Sequence, residues 1–226
     1  MLARPYYTLI ASLPPLPRFD RAKALPINPE RLEARLRMLE PEDASVAERA
    51  QDFLRWQRQP MTRTDAWVVR RYRELMAEVA NPTLRAMIDY RLQLRTVMAA
   101  LRRRTRGLGP PRPGENWGAG PFVRWIEQHW QAPDFDLGAV YPWVAEARRL
   151  HEVGETLELE RLLMGMVWDH LTRLEDGRVF TFDAVLIYLF KWDILRRWLA
   201  HDVAGAAARF EALVDRTLGE HGRLFA

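Results

Sequence analysis

The stretch that decides the fold spans residues 82–106 and has the sequence PTLRAMIDYRLQLRTVMAALRRRTR. Its apolar side chains recur at alternating steps of three and four positions, so they lie along one side of an α-helix. The members of this seam are Leu84, Met87, Arg91, Leu94, Met98 and Leu101. A helix of this length measures about 37 Å at ~1.5 Å per residue. The pattern therefore predicts a long helix that spans the domain and packs nearly parallel to its neighbours.

Arg91 is the charged member of this seam, and two arrangements would explain it. A buried guanidinium group needs a carboxylate partner, because an unpaired internal charge is costly. In the simpler arrangement, the aliphatic stem packs in the seam while the guanidinium group reaches water. We expect the simpler arrangement.

Amphipathic helices are also predicted before this stretch. Two of them follow Glu30, and Asn28 with Pro29 supplies an N-cap and a first-turn proline for the first. Thr64 or Thr62 caps a third helix, which ends where the central helix begins.

Helices are predicted again after residue 121. The predicted segments are 122–130, 134–151 with an interruption at Pro142, one that begins with the acidic residues near Glu155, one that begins at Thr181, and 203–218. Residues 184–190 are apolar on all sides, so neighbouring helices should enclose them.

Residues 1–29 are predicted to form an extended arm. Residues 6–10 have the aromatic and β-branched content of a short strand. Proline then prevents regular structure. The prolines that follow the predicted strand are Pro14, Pro15, Pro17, Pro26 and Pro29. We expect the arm to lie across a helical body.

The predicted fold class is all-α, an irregular bundle of about eight helices in two halves with an extended, proline-rich N-terminal arm. Residues 107–121 contain five of the twelve glycines and four of the fifteen prolines, so they are predicted to link helical halves at 30–106 and 122–226. The charge changes sign at this link. Residues 1–113 hold 22 Arg or Lys and 12 Asp or Glu, whereas residues 114–226 hold 12 and 18.

The composition excludes several classes of protein. The chain has 226 residues, enough for a sizeable hydrophobic core. It contains no cysteine, which excludes disulfide frameworks, thiolate zinc sites and cysteine nucleophiles. Its longest apolar run, at residues 184–190, is far shorter than the roughly 18–20 residues that cross a bilayer. Because its first residues also lack the pattern of a signal peptide, we expect a cytoplasmic protein without an integral membrane span.

No catalytic, cofactor or metal site is predicted. No two of the five histidines have the i, i+4 spacing of a helical zinc site. His151 could share a helix face with Glu155 and Glu158, but Gly154 intervenes. No serine lies in a Gly-x-Ser-x-Gly elbow, and the glycine-rich segment follows no strand as a phosphate-binding loop would. We therefore expect a protein that is not an enzyme.

The sharpest charge feature is the arginine run at residues 102–106. At a helix C-terminus such a run complements the helix dipole, which alone could explain it. As a functional feature it predicts a patch for an acidic partner, joined by basic residues that emerge after residue 190. The predicted partner-binding residues are Arg91, Arg95, Arg102, Arg103, Arg104, Arg106, Lys191, Arg196 and Arg197.

Two kinds of partner fit such a patch. An acidic protein face is favoured, because charges at the rim of a contact set its orientation and association rate. The alternative is an RNA-binding helical module that uses the patch from Arg102 to Arg106. Nucleic acid is disfavoured because RNA recognition needs stacking aromatics beside the charges, and the nearest tryptophans, Trp67 and Trp117, belong to other segments.

Three stretches carry a resemblance to known families. Residues 6–14, YYTLIASLP, resemble the opening of a family of uncharacterised bacterial proteins encoded alongside V-type ATPase genes. Two others are similar to a helix of the rotary ATPase connector, which joins the central stalk to the membrane ring. They are IDYRLQLRTV at 88–97 and FDAVLIYLFKW at 182–192. The first resemblance covers most of the chain, and the second covers only these helices.

The resemblance implies an all-helical, non-catalytic socket between the rotating central stalk and the membrane ring of proteolipid subunits. Such a component would support proton or sodium transport. It would be cytoplasmic and peripheral at the inner membrane, held there by the other ATPase subunits. The chain has room for about two of the connector's three helical repeats.

Overall fold

The computed structural model describes residues 5–54, 64–112 and 114–201. Within them the protein is all-α, with nine α-helices and no strand, which confirms the predicted fold class. The helices are α1 Tyr7–Ala11, α2 Pro29–Leu36, α3 Pro41–Leu54, α4 Asp65–Glu78, α5 Pro82–Thr105, α6 Phe122–Gln128, α7 Pro142–Glu152, α8 Thr156–Leu174 and α9 at residues 182–201. The terminal helix predicted at 203–218 lies outside the described residues.

The predicted central helix is α5. It begins at Pro82, where the Asn81 side chain accepts a hydrogen bond from the Leu84 amide at 2.7 Å, and it ends at Thr105. The apolar members of its seam are all buried. Because α6, α7 and α8 all contact α5, the helix organises much of the body, as its length predicted.

The short strand predicted at residues 6–10 is wrong, because Tyr7–Ala11 is a helix. No strand among the described residues could pair with this segment, and a helical turn satisfies its backbone groups locally. The side chain of Leu9 is fully buried, and the Tyr6 amide donates a hydrogen bond to the Phe180 carbonyl at 2.6 Å. Tertiary contacts therefore override the β propensity of these residues.

The rest of the arm lies across the helical body, as predicted. The Tyr188 hydroxyl of α9 donates to the Pro14 carbonyl at 3.0 Å, and the Trp192 indole of the same helix donates to the Ile27 carbonyl at 3.0 Å. Between these points Phe19 is completely buried in a 3₁₀ turn. Side chains of α9 thus hold the arm through its backbone carbonyls.

The predicted helix caps are confirmed. Asn28 accepts a hydrogen bond from the Arg31 amide at 2.9 Å, and Thr64 accepts one from the Trp67 amide at 3.2 Å. Thr181 accepts one from the Ala184 amide at 3.3 Å. Each side chain satisfies an amide that has no partner within its own helix.

The helix predicted at 134–151 begins only at Pro142, so its first part is wrong. Phe135 and Asp136 have left-handed backbones, with φ of 57° and 55°, which no α-helix accommodates. Phe135 is fully buried, and its carbonyl accepts a hydrogen bond from the Trp125 indole at 2.8 Å. These contacts hold residues 134–141 in turns.

The buried side chains form two clusters. One combines the arm, α2 to α4, the first half of α5, part of α8 and α9, and the other combines the second half of α5 with α6 and α7. Because α9 packs with the N-terminal elements, neither cluster coincides with one half of the sequence. The division into domains at 107–121 stays a prediction.

The glycine- and proline-rich segment packs closely against α5. The Thr96 hydroxyl bonds both the amide and the carbonyl of Ala119 at 2.9 Å. A Cβ atom on the neighbouring Gly118 would lie 2.6 Å from the Thr96 methyl group, closer than side chains can approach. Glycine at this position therefore serves the contact between loop and helix.

Candidate binding site: a cavity lined by arginine

A cavity of about 950 Å³ opens among α2, α3, α5, α8 and α9, and we call it the arginine cavity. Five of the nine residues predicted to bind a partner line it. They are Arg91, Arg95 and Arg102 of α5 and Arg196 and Arg197 of α9. The three from α5 are separated by four and seven positions, which places them on one face of that helix. The fold thus brings together two groups of arginines that are about a hundred positions apart in the chain.

Two carboxylates neutralise the arginines of α9. Arg196 forms an ion pair with Asp193 at 3.0 Å, one turn away on the same helix. Arg197 forms one with Glu160 of α8, whose other carboxylate oxygen lies 3.2 Å from Nε2 of His201. These contacts link α8 to the C-terminal part of α9.

Arg91 lies in the same charged group. Among the described residues, no carboxylate lies within 4.0 Å of its guanidinium group, so a buried ion pair is not seen there. The residue as a whole is half-buried, but burial dominates the surroundings of its guanidinium group, so the expectation that this group reaches water is not confirmed. Burial lowers the pKa of Arg91 to about 10, opposed by the Asp193 carboxylate and reinforced by Arg197.

The rest of the cavity lining also carries charges of both signs. Arg95 is paired with Asp65 of α4 at 2.7 Å. Arg102 is exposed at the end of the row on α5. Glu33 of α2 and Glu48 of α3 also line the cavity and are exposed, so water screens their charges.

Two arginines of the run at 102–106 have partners within the molecule. Arg103 donates to the Gly109 carbonyl at 2.8 Å and forms an ion pair with Glu115 at 2.7 Å. Arg104 donates to the Ala132 carbonyl and lies over the Phe135 ring at 5.3 Å. Arg106 caps the helix through its backbone amide. The run is therefore not a single free patch, although the binding role predicted for these residues remains a prediction.

Lys191 does not emerge from α9, and the prediction that it does is wrong. Its side chain is 8% exposed, and its ammonium group lies 2.7 Å from the Glu175 carboxylate and 5.2 Å from the centre of the Trp168 ring. The position falls on the enclosed side of α9, and a carboxylate from the end of α8 neutralises the buried charge. This environment gives Lys191 a structural partner and keeps it away from solvent.

Sequence reasoning missed the cavity's acidic residues. The sequence suggests only that Glu160 favours the start of α8, and it assigns no contact to Asp193. A signal existed for Asp193, because it precedes Arg196 by three positions, the spacing of a helical ion pair. Nothing in the sequence indicates that Glu160 faces Arg197, 37 positions away.

The arrangement of charged side chains around the cavity can bind charge. Among the described residues, no group of three or more His, Asp or Glu side chains could hold a metal ion. Over the same residues, no helix is both long and apolar enough to cross a bilayer. Guanidinium groups beside apolar side chains favour recognition of carboxylate or phosphate oxygens.

Comparison with known proteins places most of the chain within one family model. That model, described as "Protein of unknown function (DUF2764)", matches residues 32–220. No curated protein and no solved structure matches the chain.

Proposed function

The chain belongs to the DUF2764 family of proteins of unknown function, and we propose that it is a non-catalytic, connector-like component of a bacterial V-type ATPase. In this role it binds between the central stalk and the membrane ring of proteolipid subunits and supports proton or sodium transport. It is cytoplasmic and is held at the inner membrane by the other ATPase subunits.

One observation carries this proposal beyond the resemblance of residues 6–14, 88–97 and 182–192 to the ATPase-linked families. Five of the nine residues predicted to bind a partner, all arginines of α5 and α9, gather at one cavity. A helical body with such a cluster is suited to hold an acidic face of another protein, with the charges setting orientation and association rate. Arg102 is the best placed to touch a partner, because it is exposed and has no ion pair among the described residues.

The direct test is purification of the intact V-type ATPase from cells in which this chain carries an affinity tag. We expect the stalk and ring subunits to co-purify with it at low salt and to be released as salt is raised, because exposed charge contacts are screened. An intact ATPase that never contains the chain would refute the proposal.

A variant refines the test. Arg102→Glu should reduce co-purification about tenfold, since reversing one contact charge commonly costs on the order of 1.4 kcal/mol or more of binding free energy. Arg70→Glu, an exposed arginine of α4 outside the cavity, is the matched control and should leave co-purification unchanged. Equal effects of the two substitutions would remove Arg102 from the interface.

A further inference from the structure

Around Arg91 the arginine cavity holds more positive than negative charge. Arg91, Arg196 and Arg197 supply three guanidinium groups, whereas Asp193 and Glu160 supply two carboxylates. Both carboxylates already pair with arginines of α9. The excess positive charge therefore lies at Arg91.

Such an excess is unusual for a partly buried site, because removing a charge from water without a partner is costly. Lys191 shows how this protein treats a buried cation that has a structural role, since a carboxylate lies 2.7 Å from its ammonium group. Arg91 has no equivalent contact among the described residues. Burial lowers its pKa to about 10, which still leaves the guanidinium group charged at neutral pH.

Much of the remaining wall is apolar, and the space is large. Side chains from α5, α8 and α9 supply this surface. Its members include Leu94, Met98, Leu159, Leu163, Val167 and Ile194. The volume of about 950 Å³ falls at the upper end of the range for small-molecule sites, roughly 300–1,000 Å³. Apolar walls with a few convergent polar groups are the usual composition of such sites.

We propose that the arginine cavity binds a small organic anion with an apolar body, whose oxyanion headgroup pairs with Arg91 and whose body lies against the apolar wall. Carboxylates and phosphate monoesters share this chemistry, because both present paired oxygens that a guanidinium fork can bind. The ATPase proposal draws on the same cluster of arginines but is tested at Arg102, on the cavity's exposed edge, whereas anion binding is tested at Arg91.

The test is calorimetric titration of the full chain with decanoate, decyl phosphate and decanol, each below the concentration at which it aggregates. We expect at least one of the two anions to bind at about one site per chain, about tenfold or more tightly than decanol. The tighter of the two anions identifies the headgroup. Failure of both anions to bind, or equal binding of decanol, would overturn the proposal.

Two variants test the site itself, and the first removes its charge. Arg91→Met keeps an unbranched side chain but removes the guanidinium group. Because the anion loses this partner, its binding should weaken about tenfold or more. Its Tm without ligand should be unchanged or higher, because an uncompensated partly buried charge is lost. A structural role for Arg91 would instead lower the Tm and leave the affinity unchanged, and that result would overturn the proposal.

The second variant and a control keep the test decisive. Arg149→Met removes an exposed guanidinium group of α7 that pairs with Glu146, and as the control it should leave anion binding unchanged. Leu163→Trp fills the cavity without altering its charge and should abolish binding, which provides a second test should the Arg91 variant fail to fold. Wild-type affinity in the Leu163 variant would place the anion elsewhere and refute the assignment.

Discussion

Helices α5 and α9 bring described charged groups together near their starts and again around Arg91. The charged groups are satisfied at the first place and left in excess at the second. Near the start of both helices, Asp183 accepts hydrogen bonds from Asn81 and Thr83, each at 2.7 Å, and lies 3.4 Å from the guanidinium group of Arg178. We call these four residues the Asp183 joint. Further along, Arg91 of α5 lies near Asp193 of α9, and no carboxylate that the structure describes forms an ion pair with it.

The difference separates two uses of a polar group in a folded protein. At the Asp183 joint one carboxylate has several donors, so the contact holds the two helices in register and contributes to stability. In the arginine cavity the positive groups outnumber their partners, which costs stability unless a ligand supplies the missing charge. Contacts whose charged groups all have partners, such as the Asp183 joint, should therefore stabilise the folded protein more than the arginine cavity does.

The largest effect is expected at the Asp183 joint. Asp183→Ala removes two hydrogen bonds to a charged acceptor and leaves the Arg178 guanidinium group without its carboxylate, so the free energy of unfolding should fall by about 2–3 kcal/mol. Urea unfolding measures it. Asp176→Ala, at an exposed position shortly before α9, is the matched control and should change stability by less than about 0.5 kcal/mol. Similar losses in the free energy of unfolding for the two variants would show that the Asp183 joint adds no special stability, and the contrast with the cavity would fail.

An intermediate effect is expected where the loop at 107–121 closes on α5. Gly118→Ala places a methyl group 2.6 Å from the Thr96 side chain and strains the two hydrogen bonds of its hydroxyl. The expected loss is about 1–2 kcal/mol, as for a moderately overpacked position.

Gly109→Ala provides the comparison within the same loop. Nothing lies within 4 Å of the Cβ position there, so the substitution should be neutral or slightly stabilising because it restricts the unfolded chain. Thermal unfolding of both variants checks the pair. Equal melting temperatures of the two variants would mean that the loop packs no more tightly at Gly118 than at Gly109.

The elements that depend on local chemistry could be predicted from the sequence. Residues 82–106 specify α5 through the spacing of their apolar side chains, and Asn28 and Thr64 cap their helices through bonds to amides three positions away. What failed depended on distant contacts. The segment at 6–10 is a helix because it packs against the rest of the protein, and Lys191 is buried because Glu175 and Trp168 receive it.

The same distinction between local patterns and distant contacts applies to the candidate site. The row of Arg91, Arg95 and Arg102 along α5 follows from helical periodicity, so the sequence alone places these residues on one face. Their convergence with Arg196 and Arg197 depends on how α9 packs against α5, which no local pattern encodes. Partner-binding residues could therefore be nominated from the sequence, whereas the cavity, its acidic residues and its excess charge required the fold.

The smallest expected effect lies at a third contact of α5, where Tyr90 stacks on His170 of α8 with ring centroids 4.0 Å apart. Burial lowers the pKa of His170, opposed by a hydrogen bond with the Ala86 backbone and reinforced by Arg173. The unfolded chain therefore binds this proton at a higher pH than the folded protein does, so stability is fully present above about pH 6.5 and falls as the pH drops through that value.

His170→Phe keeps an aromatic ring on Tyr90 and cannot be protonated, so its stability should fall less between about pH 8 and about pH 5.5. Urea unfolding across this range measures both slopes, and parallel curves would show that burial at this contact does not lower the pKa of His170.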